Sequence, residues 1–178
     1  MEGMRLLRSL RLQNILSYGP VGAEIELLPL NVFIGPNGSG KSNLIEAISL
    51  LKAARLDVLA PIRRGGGISH WLWKGVQGAT PATLAVETLA QADAETLLRY
   101  RLQLSSVYQT AEVSEEVVER EPLTGGAGSG SLCHRHHDGS LEMTSRTLRG
   151  ALGMDRRPKI DRDKSVFAEV RDFVNYPE

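Results

Sequence analysis

One string, NVFIGPNGSGKSN at residues 31–43, limits what this chain can fold into more than any other part of it. An apolar run leads into a glycine-rich turn, and the turn leads into a helical pattern. Gly35, Gly40, Lys41 and Ser42 fit the spacing G-x-x-x-x-G-K-S/T of a phosphate-binding loop. Glycine lacks a Cβ and enters positive φ cheaply, so Gly35, Gly38 and Gly40 let the loop aim successive backbone N–H groups at an anion. Lys41 should open a helix whose unpaired first-turn amides and dipole favour negative charge, while its ammonium reaches the β and γ phosphates. Ser42 offers a hydroxyl ligand to Mg²⁺. The candidate ATP-binding set is therefore Gly35, Pro36, Asn37, Gly38, Ser39, Gly40, Lys41, Ser42 and Asn43. Within it, Lys41 is the catalytic cation and Ser42 the magnesium ligand.

The flanks agree with that reading. Leu30, Val32, Phe33 and Ile34 predict a short strand buried on both faces, and Leu44, Ile48 and Leu51 recur at i, i+4 and i+7 with Ile45 beside them. The helix should end before Pro61, and Gly65, Gly66 and Gly67 argue for a loop beyond it. Leu10 and Leu12 alternate with Arg11 and Gln13, and Ile25 and Leu27 with Glu24 and Glu26. These predict two strands ahead of the loop, separated at Gly19-Pro20. Further strands are expected over 83–89, 98–104 and 113–120. The second carries Leu98, Tyr100, Leu102 and Leu104 on one face and Arg99, Arg101 and Gln103 on the other.

At 178 residues the chain is long enough for one domain with a real core, and 42% hydrophobic with 24% charged residues is an ordinary globular balance. Twenty-one basic residues offset twenty-one acidic ones, so any nucleic-acid argument must rest on a local patch. A lone cysteine, Cys133, excludes an intramolecular disulfide framework. Arg5, Arg8 and Arg11 interrupt the N-terminal leucines, and no segment is apolar enough to span a bilayer, so the expected compartment is the cytoplasm without membrane contact. The expected organisation is a nucleotide-binding lobe with a β subdomain at 1–123, a flexible Gly/Ser loop at 124–131, and a continuation of the same domain at 132–178.

Joined together, LRLQNILSYG at 10–19 and GPNGSGKSNLIEAISLL at 35–51 resemble the N-termini of the RecF, SMC and OLD-like group of ABC-type ATPases, and most of all the bacterial predicted ATPases of the AAA_21 type. The likeness extends to APIRRGGGISHWLWKG at 60–75 and DKSVF at 163–167. It implies an α/β P-loop NTPase fold, similar to an ABC ATPase head, with an antiparallel β subdomain. It also implies Mg²⁺-dependent ATP hydrolysis by a head-to-head homodimer in DNA repair, chromosome maintenance or defence, with DNA as a possible partner. Two departures stand out. Leu16 occupies a place where the SMC-like pattern often has a basic residue. No string of four apolar residues followed by Asp-Glu, the Walker B strand that holds Mg²⁺ and supplies the base, occurs in the sequence. The sequence therefore reads as the N-terminal portion of such an ATPase, ending before Walker B. A nucleotide-holding scaffold without turnover is the main alternative, and a P-loop kinase a weaker one.

Other candidates have plainer explanations. LTGGA at 123–127 looks like an ABC signature but runs on into Gly128, Ser129 and Gly130 where a helix should start, which favours a loop. Cys133, His134, His136, His137 and Asp138 are good ligand types, yet strand alternation separates His136 from His137, and Asp138-Gly139 predicts a hairpin turn. Trp71 and Trp73 should share a strand face and pack, and Tyr18 could approach an adenine ring but more simply packs in a turn. Glu115 and Glu116 predict an exposed strand edge, and the seven basic residues between Arg146 and Lys164 a solvated linker with a possible phosphate-contacting role.

Overall fold

The period-two alternation in this sequence builds the larger part of the molecule. In the computed structural model, which describes residues 7–75, 83–91, 96–122, 130–143 and 159–168, seven strands form a single antiparallel sheet. They are β1 (Leu7–Gln13), β2 (Ala23–Glu26), β3 (Thr83–Gln91), β4 (Thr96–Val107), β5 (Thr110–Pro122), β6 (Gly130–Arg135) and β7 (Leu141–Met143), in the order β2-β1-β3-β4-β5-β6-β7. Between β2 and β3 the described residues form three helices, α1 (Lys41–Ala53), α2 (Ala60–Arg64) and α3 (Ile68–Trp71).

Register places the apolar positions on one face. Leu12, Leu102, Glu116, Arg135 and Leu141 form one cross-strand row, and Leu10, Thr88, Tyr100, Val118, Cys133 and Met143 the next. The apolar members of those rows, together with Leu44, Ala47, Leu50, Ala54, Val58, Ile62, Ile68 and Trp71 of the helical segment, make one continuous buried cluster, and Thr88, Glu116 and Arg135 are buried polar residues of the same rows. Burying a leucine such as Leu102 or Leu104, both fully enclosed, contributes about 1.5–3 kcal/mol. The opposite face is polar, as the alternation in β4 predicts. There Glu87 accepts hydrogen bonds from Arg99 and Arg101. Burial alone would raise the Glu87 pKa, but these two guanidiniums outweigh it and hold the carboxyl below the usual range.

Four expectations need correction. The run Leu30 to Ile34 is irregular, without a ladder partner among the described residues, and Leu30, Val32 and Ile34 are 80%, 76% and 92% exposed. A strand buried on both faces needs neighbours on both edges, and here none of the seven strands is beside it. Second, α1 buries Leu44, Ala47 and Leu50 while Ile45 is exposed and Ile48 only partly covered. Small Ala47 permits close approach, so the covered stripe is rotated toward it. Third, α2 and α3 occupy the stretch expected to be loop. Pro61 sits in the first turn of α2, where its missing N–H is not needed, and Gly66 and Gly67 at φ 89° separate the two helices. Fourth, Trp71 lies in α3 and Trp73 beyond it, so they share no strand face.

Candidate phosphate-binding site

Backbone conformation sets up the loop. Gly38 has φ 82° and Gly40 φ 91°, the left-handed region that favours glycine. A Cβ on Gly40 would come within 2.7 Å of Ser17 Oγ, so the turn between β1 and β2 presses directly on the end of the loop. Gly40 is also the N-cap of α1, with no side-chain cap and no acidic residue in the first turn. The helix N-terminus thus keeps its positive partial charge for an external anion. Lys41 Nζ folds back over the loop, donating to the carbonyls of Gly35 (2.8 Å) and Pro36 (2.7 Å) and to Ser39 Oγ (3.2 Å). A flexible ammonium held by neutral oxygens at an exposed site exchanges them readily for phosphate oxygens. Ser42 is exposed on the first turn and Asn43 half-buried beside it. All nine candidate residues therefore lie in one continuous segment from Gly35 to Asn43, and their chemistry fits a triphosphate with its divalent cation. Magnesium would be held by Ser42 and supply charge neutralisation.

The β1–β2 turn is the second element of the site. Asn14 (φ 54°) and Leu16 (φ 52°) adopt left-handed backbone without being glycine, at about 1–2 kcal/mol each. The conformation is fixed by hydrogen bonds from Leu16 N to Trp71 O (2.7 Å) and Trp73 N to Asn14 O (2.9 Å) and by a bridge between Ile15 and Leu72. The Tyr18 hydroxyl donates to Gly40 O at 3.4 Å, and burial raises its pKa. Beside the first turn of α1 a cleft of about 370 Å³ opens, lined by Leu16, Ser17, Asn43, His70, Leu72, Trp73 and Lys74. Sequence reasoning passed over His70 and Lys74. Both fall within the 60–75 stretch that carries the family likeness, and the pairing of 71–73 with the turn is what brings them to the loop.

The remaining candidates have other surroundings. Trp71 is 3% exposed and Trp73 packs where a Cβ on Gly19 would meet its ring at 3.2 Å, so both indoles serve packing. Glu116 is not at an exposed edge; it is fully buried. It accepts hydrogen bonds from Tyr100 Oη (2.9 Å), Ser165 Oγ (2.6 Å) and Val166 N (2.8 Å), while its cross-strand neighbour Arg135 donates to Val113 O (2.7 Å) and Asp161 O (3.0 Å). Burial raises the Glu116 pKa despite these donors and the Arg135 charge, and burial, then Glu116, pushes the Tyr100 hydroxyl well up. Cys133 is buried, its thiol pushed up to about 12 by burial and then by Glu116. His134 and His136 stack at 4.1 Å on the other face, each beside a carboxylate, Glu115 (3.1 Å) and Glu142 (3.5 Å). Among the described residues, no three metal-ligand side chains converge. The turn at Asp138-Gly139 is present, with Gly139 at φ 82°. LTGGA at 123–127 and most of the basic 146–164 stretch lie outside the described residues, as do residues 124–129 of the expected Gly/Ser loop. Among the described residues no helix is long and apolar enough to cross a membrane.

No curated protein matches the sequence significantly. Among solved structures, one from work on the ATP-driven dimerization and DNA-stimulated activation of SMC ATPases is similar at 23% identity and a TM-score of 0.45, over 61% of this chain and 68% of that one. Residues 30–125, more than half of the chain, match the family model AAA_21, "AAA domain, putative AbiEii toxin, Type IV TA system". The match begins at the apolar approach to the loop and runs through β5, and on it the chain belongs to this AAA-domain family.

Proposed function

We propose that this chain binds Mg²⁺–ATP through residues 35–43. The observation that carries the reading is the geometry of Lys41: its ammonium is gathered over a left-handed glycine loop whose helix begins without a capping side chain or an acidic first turn. Such an arrangement has donors in excess and no anion of its own. Lys41 and the loop amides stabilise negative charge on the β and γ phosphates, Ser42 holds the metal, and Asn43 continues the contact along the first turn. Binding calorimetry with a non-hydrolysable ATP analogue and Mg²⁺ tests this: Lys41→Ala should abolish measurable binding, and unchanged affinity would refute the assignment.

Hydrolysis belongs, on this reading, to a complete ABC-type ATPase in the cytoplasm that dimerises head to head, with a function in DNA repair, chromosome maintenance or defence. Residues 1–123 supply the nucleotide-binding lobe, and 132–178 continue the same domain past a Gly/Ser connection at 124–131. Sequence lends a second reading some weight. On that reading the chain holds ATP without turning it over and acts as a nucleotide-dependent scaffold. Phosphate release at steady state separates the two. Salt-sensitive retention of duplex DNA would add a role for the basic 146–164 stretch.

A further inference from the structure

A cleft of about 750 Å³ opens between α1, the turn that follows it, α2 and Trp71 of α3, and none of residues 35–43 lines it. Ala53, Leu56, Ala60 and Pro61 give it an apolar lining, with Leu56 63% exposed. Its volume is that of a small-molecule site, where a few polar groups set against apolar walls fix the ligand. Trp71 supplies the first such group. Its ring is only 3% exposed and lines the cleft, yet its indole N–H has no acceptor among the described residues. A buried indole N–H ordinarily finds a partner. Nor is that nitrogen sealed from solvent, and the cleft is the open space that Trp71 lines. Gly65 keeps the edge of the ring clear: its φ of −84° suits any residue, but a Cβ there would come within 2.6 Å of Trp71 Nε1. The charges around the cleft are uneven. Asp57 is bound by Arg63, and Ser49 Oγ donates to the Glu46 carbonyl at 2.5 Å. Among the described residues, two unpaired cations, Lys52 and Arg64, and the unpaired indole N–H thus line the cleft against one unpaired carboxylate, Glu46, a surplus of donors.

We propose that this cleft is a second ligand site, which takes a small amphipathic anion: an apolar body carrying one carboxylate or phosphate head. It is independent of the nucleotide reading, since residues 35–43 contribute nothing to it. The apolar body covers Leu56, Ala60 and Pro61. The head accepts the Trp71 N–H, which sits on a packed ring and fixes its position, and Lys52 and Arg64 close on it from flexible stems. A neutral apolar molecule leaves the indole donor and both cations unmatched, and a cationic one meets Lys52 and Arg64 as like charges.

The test is equilibrium binding to the full chain of anilinonaphthalene sulfonate, an apolar ring system with one anionic group, and of its uncharged parent N-phenylnaphthylamine. The anionic probe should bind at one saturable site, at least about tenfold more tightly than the parent, as charge-assisted hydrogen bonds warrant. A Lys52→Gln/Arg64→Gln variant should cost the anionic probe at least about tenfold and move the parent by no more than about twofold. Both positions are exposed, so the fold should be kept, with the thermal transition as the check. Trp71→Phe retains an aromatic ring in the core and removes the donor; it should weaken the anionic probe alone, by about three- to tenfold. Should that variant unfold, the Lys52→Gln/Arg64→Gln result decides. Decanoate and decyl phosphate, added as competitors, separate the two heads: the tighter competitor names the head, and displacement by neither overturns the proposal. Absence of probe binding, or equal affinity for the two probes, overturns it too. Binding that the Lys52→Gln/Arg64→Gln variant leaves intact does the same, because the probe then sits on another exposed apolar stretch such as 30–34. Displacement by the Mg²⁺–ATP analogue, or loss on Lys41→Ala, puts the probe at the phosphate loop and likewise overturns the assignment of the cleft.

Discussion

The phosphate loop and the Glu116–Arg135 row are two polar places in the molecule built on opposite terms. At the loop, one contiguous segment turns its donors outward, Lys41 is held only by neighbouring oxygens, and the apolar residues leading to it are 76–92% exposed at Leu30, Val32 and Ile34. Across the sheet, Glu116 and Arg135 come from different strands, are fully buried, and bond to groups as far away in sequence as Ser165, Val166 and Asp161. The first arrangement leaves its polar groups available to a ligand; the second spends them on tying residues 160–168 to the sheet. The two places thus differ in whether their charged groups are held by local, exchangeable partners or by distant, fixed ones.

That contrast can be broken by mutation. The largest stability effect should come from the buried row: Glu116→Ala or Arg135→Ala should each cost about 3–5 kcal/mol in denaturant unfolding, because each strands the other charge in the core. A Glu116→Leu/Arg135→Met double variant should lie closer to the unmodified protein than either single change, and a double variant losing the sum of both would show that the pair is not coupled. Lys41→Ala should do the reverse, removing nucleotide binding while costing under about 1 kcal/mol of stability. Gly40→Ala should sit between them, since a Cβ at φ 91° would strike Ser17 Oγ; about 1–2 kcal/mol is expected, with weakened nucleotide binding. Adding Ser17→Gly removes the clash but not the φ penalty, so rescue should be partial.

Acid sharpens the comparison within the sheet itself. Glu87, with its pKa held down on the polar face, gives stability that is present above the ordinary carboxylate range and lost as pH falls through its folded value. Glu116, raised by burial, works the other way: its contribution is present below the ordinary range and is lost as pH rises through its folded value. Glu87→Gln should therefore reduce the fall in melting temperature between neutral and acidic pH, whereas Glu116→Gln should not; equal slopes in the two variants would refute the assignment. The smallest effect concerns Cys133. With its thiol pushed up to about 12, it should react with a thiol reagent at pH 8 only after denaturation, and stability should decline as pH rises above the ordinary thiol range.

What the sequence disclosed follows the same division. Gly35 to Asn43 is a local pattern visible in the sequence, β1, β2 and β4 announce themselves by period two, and β3 and β5 fall where strands were expected over 83–89 and 113–120. The hairpin between β4 and β5 was not marked: Tyr108 and Gln109 fill a two-residue turn at φ 48° and 65° where Asn-Gly would have signalled it. Glu116 looked exposed because it is charged and no apolar run leads into it, Ser114 and Glu115 coming just before; only register against Leu102 and Arg135 turns it inward. The Leu30–Ile34 run misled in the opposite sense, since hydrophobicity reports what a segment can bury, not whether a neighbour is beside it.

From β3 onward the strands lie side by side in the order in which they occur along the chain, every contact of that ladder being with the strand just made or the next. A polypeptide leaving the ribosome can therefore zip up each strand from β4 to β7 against its predecessor with little search, whereas β1 must be brought to β3 across the whole helical segment. Nothing in that progression depends on nucleotide, so the platform should assemble first and the loop acquire its ligand afterwards.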